Sequence, residues 1–454
     1  MSKEIPASWA WVPMLDIIDY EGGSQPPKKD FIYEPRKGYV RLLQIRDFGD
    51  NPFPTYVPDS NRLKKVKADD LLLARYGGSS ANNDSLGRVC AGLEGAYNVA
   101  LAKLVFSREF LERDYVKYLF MGPWFKDKVG LNSRSCQTGF NRGDVVDIEF
   151  PVAPLNEQRR IVAKLEKLLS KADTSQKRLA KVPSLFKHFR QSVLAAACSG
   201  RLTADWRGKN QPIPQQAESD ELPRNWKQVT LGEVLEVLTD YHANGSYESL
   251  KEHVTILSEK DYAIYVRATN LESKSFEGNA KYVSKAAYEF LSKSKVFGGE
   301  IIIGKIGNAG KIYLMPNLRA PCTLGMNLFL LRIKETAETK YIYYHLISPS
   351  SGEEIHQNVK GATNQSIDKK SIRGISINLP PVIEQQEIVY RVEKLFTLVD
   401  HIEARYGEAN AQVNKLIQSI LAKTFRGELV PQDPNDEPAE VLLGRIREQR
   451  SKKK

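Results

Sequence analysis

The 454-residue sequence predicts an α+β chain in which two globular domains are joined by two long helices forming an antiparallel coiled coil, with a pseudo-two-fold internal repeat. Three observations predict it: a segment that returns 227 residues later in unbroken register, an apolar seam of heptad spacing in both copies, and short β-favouring runs ahead of each seam.

The repeat comes first. PLNEQRRIVAKLEKLL from Pro154 returns as PVIEQQEIVYRVEKLF from Pro381, and Gln191 and Ser192 return as Gln418 and Ser419, both at an offset of 227. Twice that offset is the full length. Upstream the correspondence drifts: IPASW at Ile5 is echoed by LPRNW at Leu222, and DDLLLARYGG at Asp69 by GEIIIGKIGN at Gly299, at offsets of 217 and 230. Each half therefore has a changeable front portion and a rear portion of fixed spacing, as expected of a variable surface on a constant frame. Two copies are too few for a solenoid.

The rear portions read as helices. Ile388, Val392, Leu395, Val399, Ile402, Tyr406, Ala409, Val413, Leu416 and Ile420 step by four and three. The positions 227 earlier are Ile161, Leu165, Leu168, Ala172, Ser175, Leu179, Val182, Phe186, Phe189 and Val193, the same seam with one polar member. Such a helix commonly covers the core of its own domain. A stripe from residue 156 to 198 would be about 64 Å long, more than a small domain covers, whereas antiparallel pairing satisfies both seams and places two heads at opposite ends of a rod. Pro183 predicts a kink in the first helix, its counterpart being Asn410. Gly200 and Gly427 predict the two helix ends. The domain boundaries follow: a head over 1–153, a helical region over 154–209, a linker over 210–221, a second head over 222–380, a second helical region over 381–430, and a tail over 431–454 with room for one short helix.

The heads alternate β-favouring runs such as YVRLLQI, DLLLARY, YAIYVRA and EIIIGKI with Gly, Asn and Ser turns. Arg75, Tyr76, Ser79, Ser80, Asn82 and Asn83 fall in turns of the first head, and Lys305, Asn308 and Lys311 in the second. Later polar loops hold Arg134, Ser135, Gln137, Asn141 and Arg142, matched by Lys360, Thr363, Asn364, Gln365 and Ser366. Arg, Asn and Gln can bond base edges in pairs and Lys and Ser suit phosphates, so these loops are candidates for reading nucleic acid. The plainer account is that Gly and Asn make turns and the charges are solvated.

A net charge of +11 and a pI near 9.2 fit a polyanionic partner. The four cysteines stand far apart with no C-x-x-C pair, which predicts reduced thiols, and no metal-ligand spacing stands out among the six histidines. Proline and charge interrupt the N-terminus and no run reaches about 20 apolar residues, so neither export nor a membrane span is expected.

The paired PLNEQRRIV and PVIEQQEIV, the helix ends QSVLAAACSGRL and QSILAKTFRGEL, and an I/L-P-x-x-W lead-in to each head at Trp9 and Trp226 together resemble the specificity subunits of type I restriction and modification enzymes. The resemblance covers nearly the whole chain. It implies two target-recognition domains, each reading one half of a bipartite double-stranded DNA site, with the helix pair fixing the unread spacer. It implies partners too: two methylation subunits that use S-adenosylmethionine to methylate adenine at N6, and two ATP-driven restriction subunits needing Mg2+. One specificity subunit would join the two methylation subunits alone, or those two together with both restriction subunits, in the bacterial or archaeal cytoplasm. The expectation is that this chain binds no cofactor and carries no catalysis.

Chemistry within the chain finds little support in the residues. Asn51-Pro52-Phe53 lacks the second proline of an adenine methyltransferase loop. GKIGNAGKI from Gly304 has five residues, not four, between Gly304 and Gly310, and Ile312 where a phosphate loop needs Ser or Thr. Asp261 with Glu272-Ser273-Lys274 forms a loose nuclease-like pattern that the first copy lacks. A reading of another class also stands: a scaffold whose coiled coil joins protein partners without touching DNA. The bases read and the spacer length depend on loop conformation and DNA bending, which composition does not encode.

Overall fold

The computed structural model describes residues 5–49, 52–76, 86–122, 125, 129, 140–210, 222–361 and 365–452. The chain divides into two compact units, Met1–Leu179 with Glu408–Lys454, and Ala180–Gly407.

The first unit holds strands β1 (Ala10–Pro13), β2 (Asp19–Gly22), β3 (Tyr39–Leu43), β4 (Tyr56–Pro58), β5 (Lys65–Val66), β6 (Leu72–Ala74), β7 (Val89–Cys90), β8 (Gly95–Tyr97), β9 (Leu101–Val105) and β10 (Glu149–Val152). The second holds β11 (Lys227–Thr230), β12 (Leu235–Asp240), β13 (Ala263–Val266), β14 (Lys281–Val283), β15 (Lys295–Val296), β16 (Ile301–Gly304), β17 (Ile312–Leu314), β18 (Cys322–Leu324), β19 (Leu328–Ile333) and β20 (Ser376–Leu379). Sheet orders β2-β9-β6-β7 and β4-β3-β8-β5 in the first unit become β12-β19-β16-β17 and β14-β13-β18-β15 in the second, while β1-β10 becomes β11-β20. Every strand of one unit thus has a counterpart in the same place in the other. Even the parallel pair recurs, with Leu42 opposite Ala96 and Ile264 opposite Cys322.

Strands β6 and β16 are apolar on both faces because their sheets are covered on both sides there. Leu72, Leu73 and Ala74 of β6 and Ile301, Ile302 and Ile303 of β16 are all buried. Alternate residues of one strand feed different cores: Ile301 and Ile303 join the cluster around Trp226, Phe329 and Tyr341, whereas Ile302 joins Val266, Leu324 and Leu330.

The rear portions are helical: α1 (Leu155–Leu179), α2 (Val182–Cys198) and α3 (Val382–Phe425). Within the first unit α1 lies antiparallel to the later part of α3, Gln176 donating to Asn414 at 2.8 Å while Ile161 and Leu165 share a core with Ile420, Leu421 and Phe425. Within the second, α2 lies antiparallel to the earlier part of α3: Arg190 bonds Asp400 and Glu403 at 2.8 Å, and Phe186 meets Tyr406 edge-on.

Two sequence expectations are modified. Pro183 does not kink a continuous helix; the chain leaves the helix after Leu179 and begins a new one at Val182, with Pro183 in its first turn, where the missing N–H costs nothing. Nor is the seam closed throughout. Ile161, Leu165, Ala172, Ile388, Val392, Val399 and Ile420 are buried, Leu168, Leu179, Leu395 and Val413 partly so, but Ile402 and Leu416 are 45% and 53% exposed. The outer turns pack into the head cores and the middle turns meet each other, as Phe186 does Tyr406, so the two uses of an amphipathic helix weighed from sequence both occur. The tail supplies the short helix, Ala439–Ser451, whose Leu442, Leu443 and Ile446 join the first unit's core.

Candidate nucleic-acid interface

Each head is anchored to its helix by the motif residues. Trp9 donates its indole N–H to Glu157 at 2.9 Å, and Trp226 donates to Glu384 at 3.1 Å. The next residue of each motif is equally committed. Gln158 accepts from the Glu112 backbone and donates to the Ala153 carbonyl; Gln385 accepts from Glu338 and donates to Pro380. Buried Tyr115 and Tyr341 close the frame by donating to the carbonyls of Pro151 and Asn378.

The charges around the two glutamates differ. Burial pushes the Glu157 carboxyl above its ordinary value, against the pull of hydrogen bonds from Trp9 and Gln432. Glu384 instead receives Arg207 and Thr203 in addition to the indole. Both helices end on left-handed glycines that a proline seals: a Cβ on Gly200 would lie 2.6 Å from Cγ of Pro223, and one on Gly427 would lie 2.2 Å from Cγ of Pro6. Those prolines belong to the I/L-P-x-x-W lead-ins, so the lead-in docks onto a helix end through its proline and onto a helix start through its tryptophan.

On this frame the candidate loops come together in each head. In the first, the Phe140 amide donates to the Arg75 carbonyl, and the Arg75 guanidinium returns a bond to the Phe140 carbonyl at 3.4 Å. Arg75 also lies over the rings of Tyr20 and Tyr76. In the second, the Ile367 amide donates to the Lys305 carbonyl, the Gly307 amide to Gln365, and Ile306 bridges Ser366. The turn after β6 or β16 is therefore stitched to the loop before β10 or β20 in the same way twice.

Individual candidates divide. Arg142 is exposed and pairs with Asp19 at 2.8 Å; Tyr76 is 39% exposed; Lys311, Lys360, Gln365 and Asn308 also face solvent. Asn141 makes a local turn, its side chain accepting from Gly143. Lys305 is only 22% exposed and, with Lys369, grips Asp240 at 2.6 and 2.9 Å. Burial alone would raise the Asp240 carboxyl, but hydrogen bonds from the two lysines outweigh it and hold the group below its ordinary value. Ser79, Ser80, Asn82, Asn83, Arg134, Ser135, Gln137, Thr363 and Asn364 lie outside the described residues.

Sequence reasoning missed Asp240, a carboxylate 65 residues before Lys305, and Lys369, an amine just past the second polar loop that meets the same carboxylate. It also missed an aromatic and basic cluster in the first head, where Tyr33 and Phe53, both more than half exposed, meet at 5.1 Å with their rings tilted by 44° and Arg46 lies over Phe53. Basic residues interleaved with aromatics were the available signal.

The chemical motifs resolve into structure. GKIGNAGKI is the β16–β17 hairpin, in which the Gly304 amide donates to Lys311 and a Cβ on Gly304 would lie 1.9 Å from the Asn308 carbonyl oxygen. Glu272 of the nuclease-like pattern accepts from Lys311, Asn308 and Tyr313, and the Asp261 side chain accepts from the Tyr262 amide. Lys311 first, then Tyr313, hold the Glu272 carboxyl below its ordinary value. Among the described residues no three His, Cys, Asp or Glu side chains group as a metal site, and no helix is long and apolar enough to cross a membrane.

Residues 223–410 match the family model described as type I restriction modification DNA specificity domain. The chain is 27% identical to the type I restriction enzyme EcoKI specificity subunit of Escherichia coli K12, covering 99% of this chain and 97% of that one. It is 26% identical to the StySPI specificity subunit of Salmonella potsdam, covering 99% and 96%. Its fold is similar to that of the HsdS subunit from Thermoanaerobacter tengcongensis, at 20% identity and a TM-score of 0.53 over 94% of this chain and 99% of that one. A chain solved in work on complex assembly and conformational transition of the type I R-M system gives a TM-score of 0.69 at 19% identity, again covering 94% and 99%.

Proposed function

Because this chain belongs to the family of type I restriction-modification specificity subunits, the non-catalytic DNA-specificity component of those enzymes, we propose that each head reads one half of a bipartite, asymmetric duplex site. The observation that carries this is the doubled construction: two heads of identical strand order, each with its candidate loops joined at the same place, Arg75 to Phe140 and Lys305 to Ile367. Two equivalent surfaces on non-identical loops suit two different half-sites. Polar side chains in those loops would contact base edges and phosphates, and differences between Arg75, Tyr76 and Arg142 on one side and Asn308, Lys311 and Gln365 on the other would set which bases are read.

The helices would fix the interval between the half-sites. α3 runs unbroken for 44 residues, about 66 Å, a length compatible with half-sites one or more helical turns apart. The chemistry belongs to partners in this reading. Two methylation subunits using S-adenosylmethionine would assemble on this chain, and two restriction subunits using ATP and Mg2+ would complete the restriction complex in the cytoplasm. The chain itself would hold none of these cofactors.

The test is single-molecule sequencing for N6-methyladenine in a methylation-free host that expresses this chain with its neighbouring methylation subunit. A split motif with a fixed unread gap is expected, and exchanging one head should change one half of it. Absence of methylation from a complex shown to assemble would favour a protein scaffold instead.

A further inference from the structure

The helix pair is unevenly charged. Where α1 lies on α3, residues 155–179 and 408–425 carry nine Lys and Arg against four Asp and Glu; where α2 lies on α3, residues 182–198 and 382–407 carry five of each. The excess is concentrated on one face. Lys164, Lys167, Lys171 and Arg178 are spaced by three, four and seven, which at about 100° per residue confines them to a stripe roughly 60° wide and about 21 Å long. All four are exposed, and none of their side chains makes an ion pair or hydrogen bond among the described residues.

The acids of the same helix do not neutralise them. Glu157 is buried under Trp9, Asp173 is taken by Lys177 at 2.7 Å, and Glu166 and Asp173 project from the far side of the helix. Like charges three and four apart destabilise a helix, so an unpaired row of four is a cost with no return inside the fold. The fold does not require it either. The equivalent positions on α3 are Arg391, Lys394, Leu398 and Arg405, where Arg391 is bound to Asp205 and Glu387 and Leu398 is apolar.

We propose that Lys164, Lys167, Lys171 and Arg178 form a phosphate-tracking stripe that grips the backbone of the unread DNA between the two half-sites. This rests on the two-half-site reading above and adds a sequence-independent contact to it. A protein partner fits less well: lysine is depleted from protein interfaces, and α1 itself exposes no large apolar side chain among the described residues, Leu416 of the helix beside it being the exposed one there. Three of the four cations are lysines, flexible point charges that suit phosphates. Their row is as long as roughly six base-pair steps of the duplex axis at about 3.4 Å each.

The test uses the full chain assembled with its methylation subunits and a labelled duplex carrying the methylated motif, titrated between roughly 50 and 200 mM salt. Replacing all four residues by Gln keeps helix propensity and is expected to flatten the plot of log affinity against log salt by about 3.6, with assembly and the methylated motif unchanged. Neutral methylphosphonates placed in the gap should flatten the wild-type plot likewise. An unchanged slope with the motif still read overturns the stripe and leaves the half-site reading standing. An unchanged slope with weakened assembly assigns the stripe to an acidic protein face and overturns it as well. A wild-type complex unable to distinguish its motif from scrambled duplex overturns both readings.

Discussion

Trp226 donates its indole N–H to Glu384 at 3.1 Å, joining the first residues of the second head to the first turn of a 44-residue helix. The same carboxylate, without solvent exposure, also holds Arg207, whose side chain is 17% exposed. Glu384→Ala would leave the indole without its acceptor and take the carboxylate from a guanidinium that would keep only the Gly200 carbonyl and the Thr203 hydroxyl, so a loss of about 3 kcal/mol or more is expected in denaturant unfolding. Glu384→Gln, which keeps one acceptor, should cost less.

Glu157, the counterpart under Trp9, should make stability depend on pH. Its burial raises the folded-state value above the ordinary 4.5, so the folded state binds the proton more tightly than the unfolded one. The resulting stability is fully present below about pH 4.5 and is lost as pH rises through the raised value. Glu157→Gln should therefore cost less than about 1 kcal/mol at neutral pH, and should remove this part of the pH dependence when unfolding is followed between mildly acidic and neutral conditions. A loss as large as that of Glu384→Ala would contradict the assignment.

The helix end at Gly427 has φ of +75° and is sealed by Pro6. Gly427→Ala meets both a left-handed backbone and a proline ring, and a destabilisation of about 2 kcal/mol or more is expected. Pro6→Ala in the same chain should recover the part due to the clash, so a double-mutant cycle should show coupling.

Arg142 and Lys311 are exposed, and each already has a carboxylate partner, Asp19 or Glu272. Exposed pairs contribute little to stability, so Arg142→Ala and Lys311→Ala should shift unfolding by less than about 1 kcal/mol. If their loops read DNA, each should weaken binding of cognate duplex by roughly tenfold, a cost of about 1–3 kcal/mol being usual for a base contact. Unchanged affinity in both would remove these residues from the interface.

Asp240 restrains Lys305 and Lys369. Asp240→Asn frees two amines and removes one negative charge, so binding to scrambled duplex should strengthen several-fold at low salt while discrimination for the cognate motif falls. A competition assay with both duplexes separates the two effects. Lys305→Ala, by the same geometry, should act through loop position as well as through charge.

Repeat, heads and helix pairing were legible in the sequence because each depends on spacing along the chain: 227 between the copies, four and three between seam residues, glycine at each helix end. Tertiary structure decided what spacing does not encode. The sequence displayed Trp9, Trp226 and the E-Q pairs as motifs, but only the fold brings each indole to a carboxylate some 150 residues away. Likewise Lys305 reads as a free loop cation until Asp240, 65 residues earlier, is seen beneath it. Seam residues Ile402 and Leu416 are apolar and in register yet exposed, since a heptad pattern specifies which face is apolar and not how far a partner covers it. Periodicity is a local property of the chain, whereas burial, charge pairing and the loops that meet are set by which distant segments the fold makes neighbours.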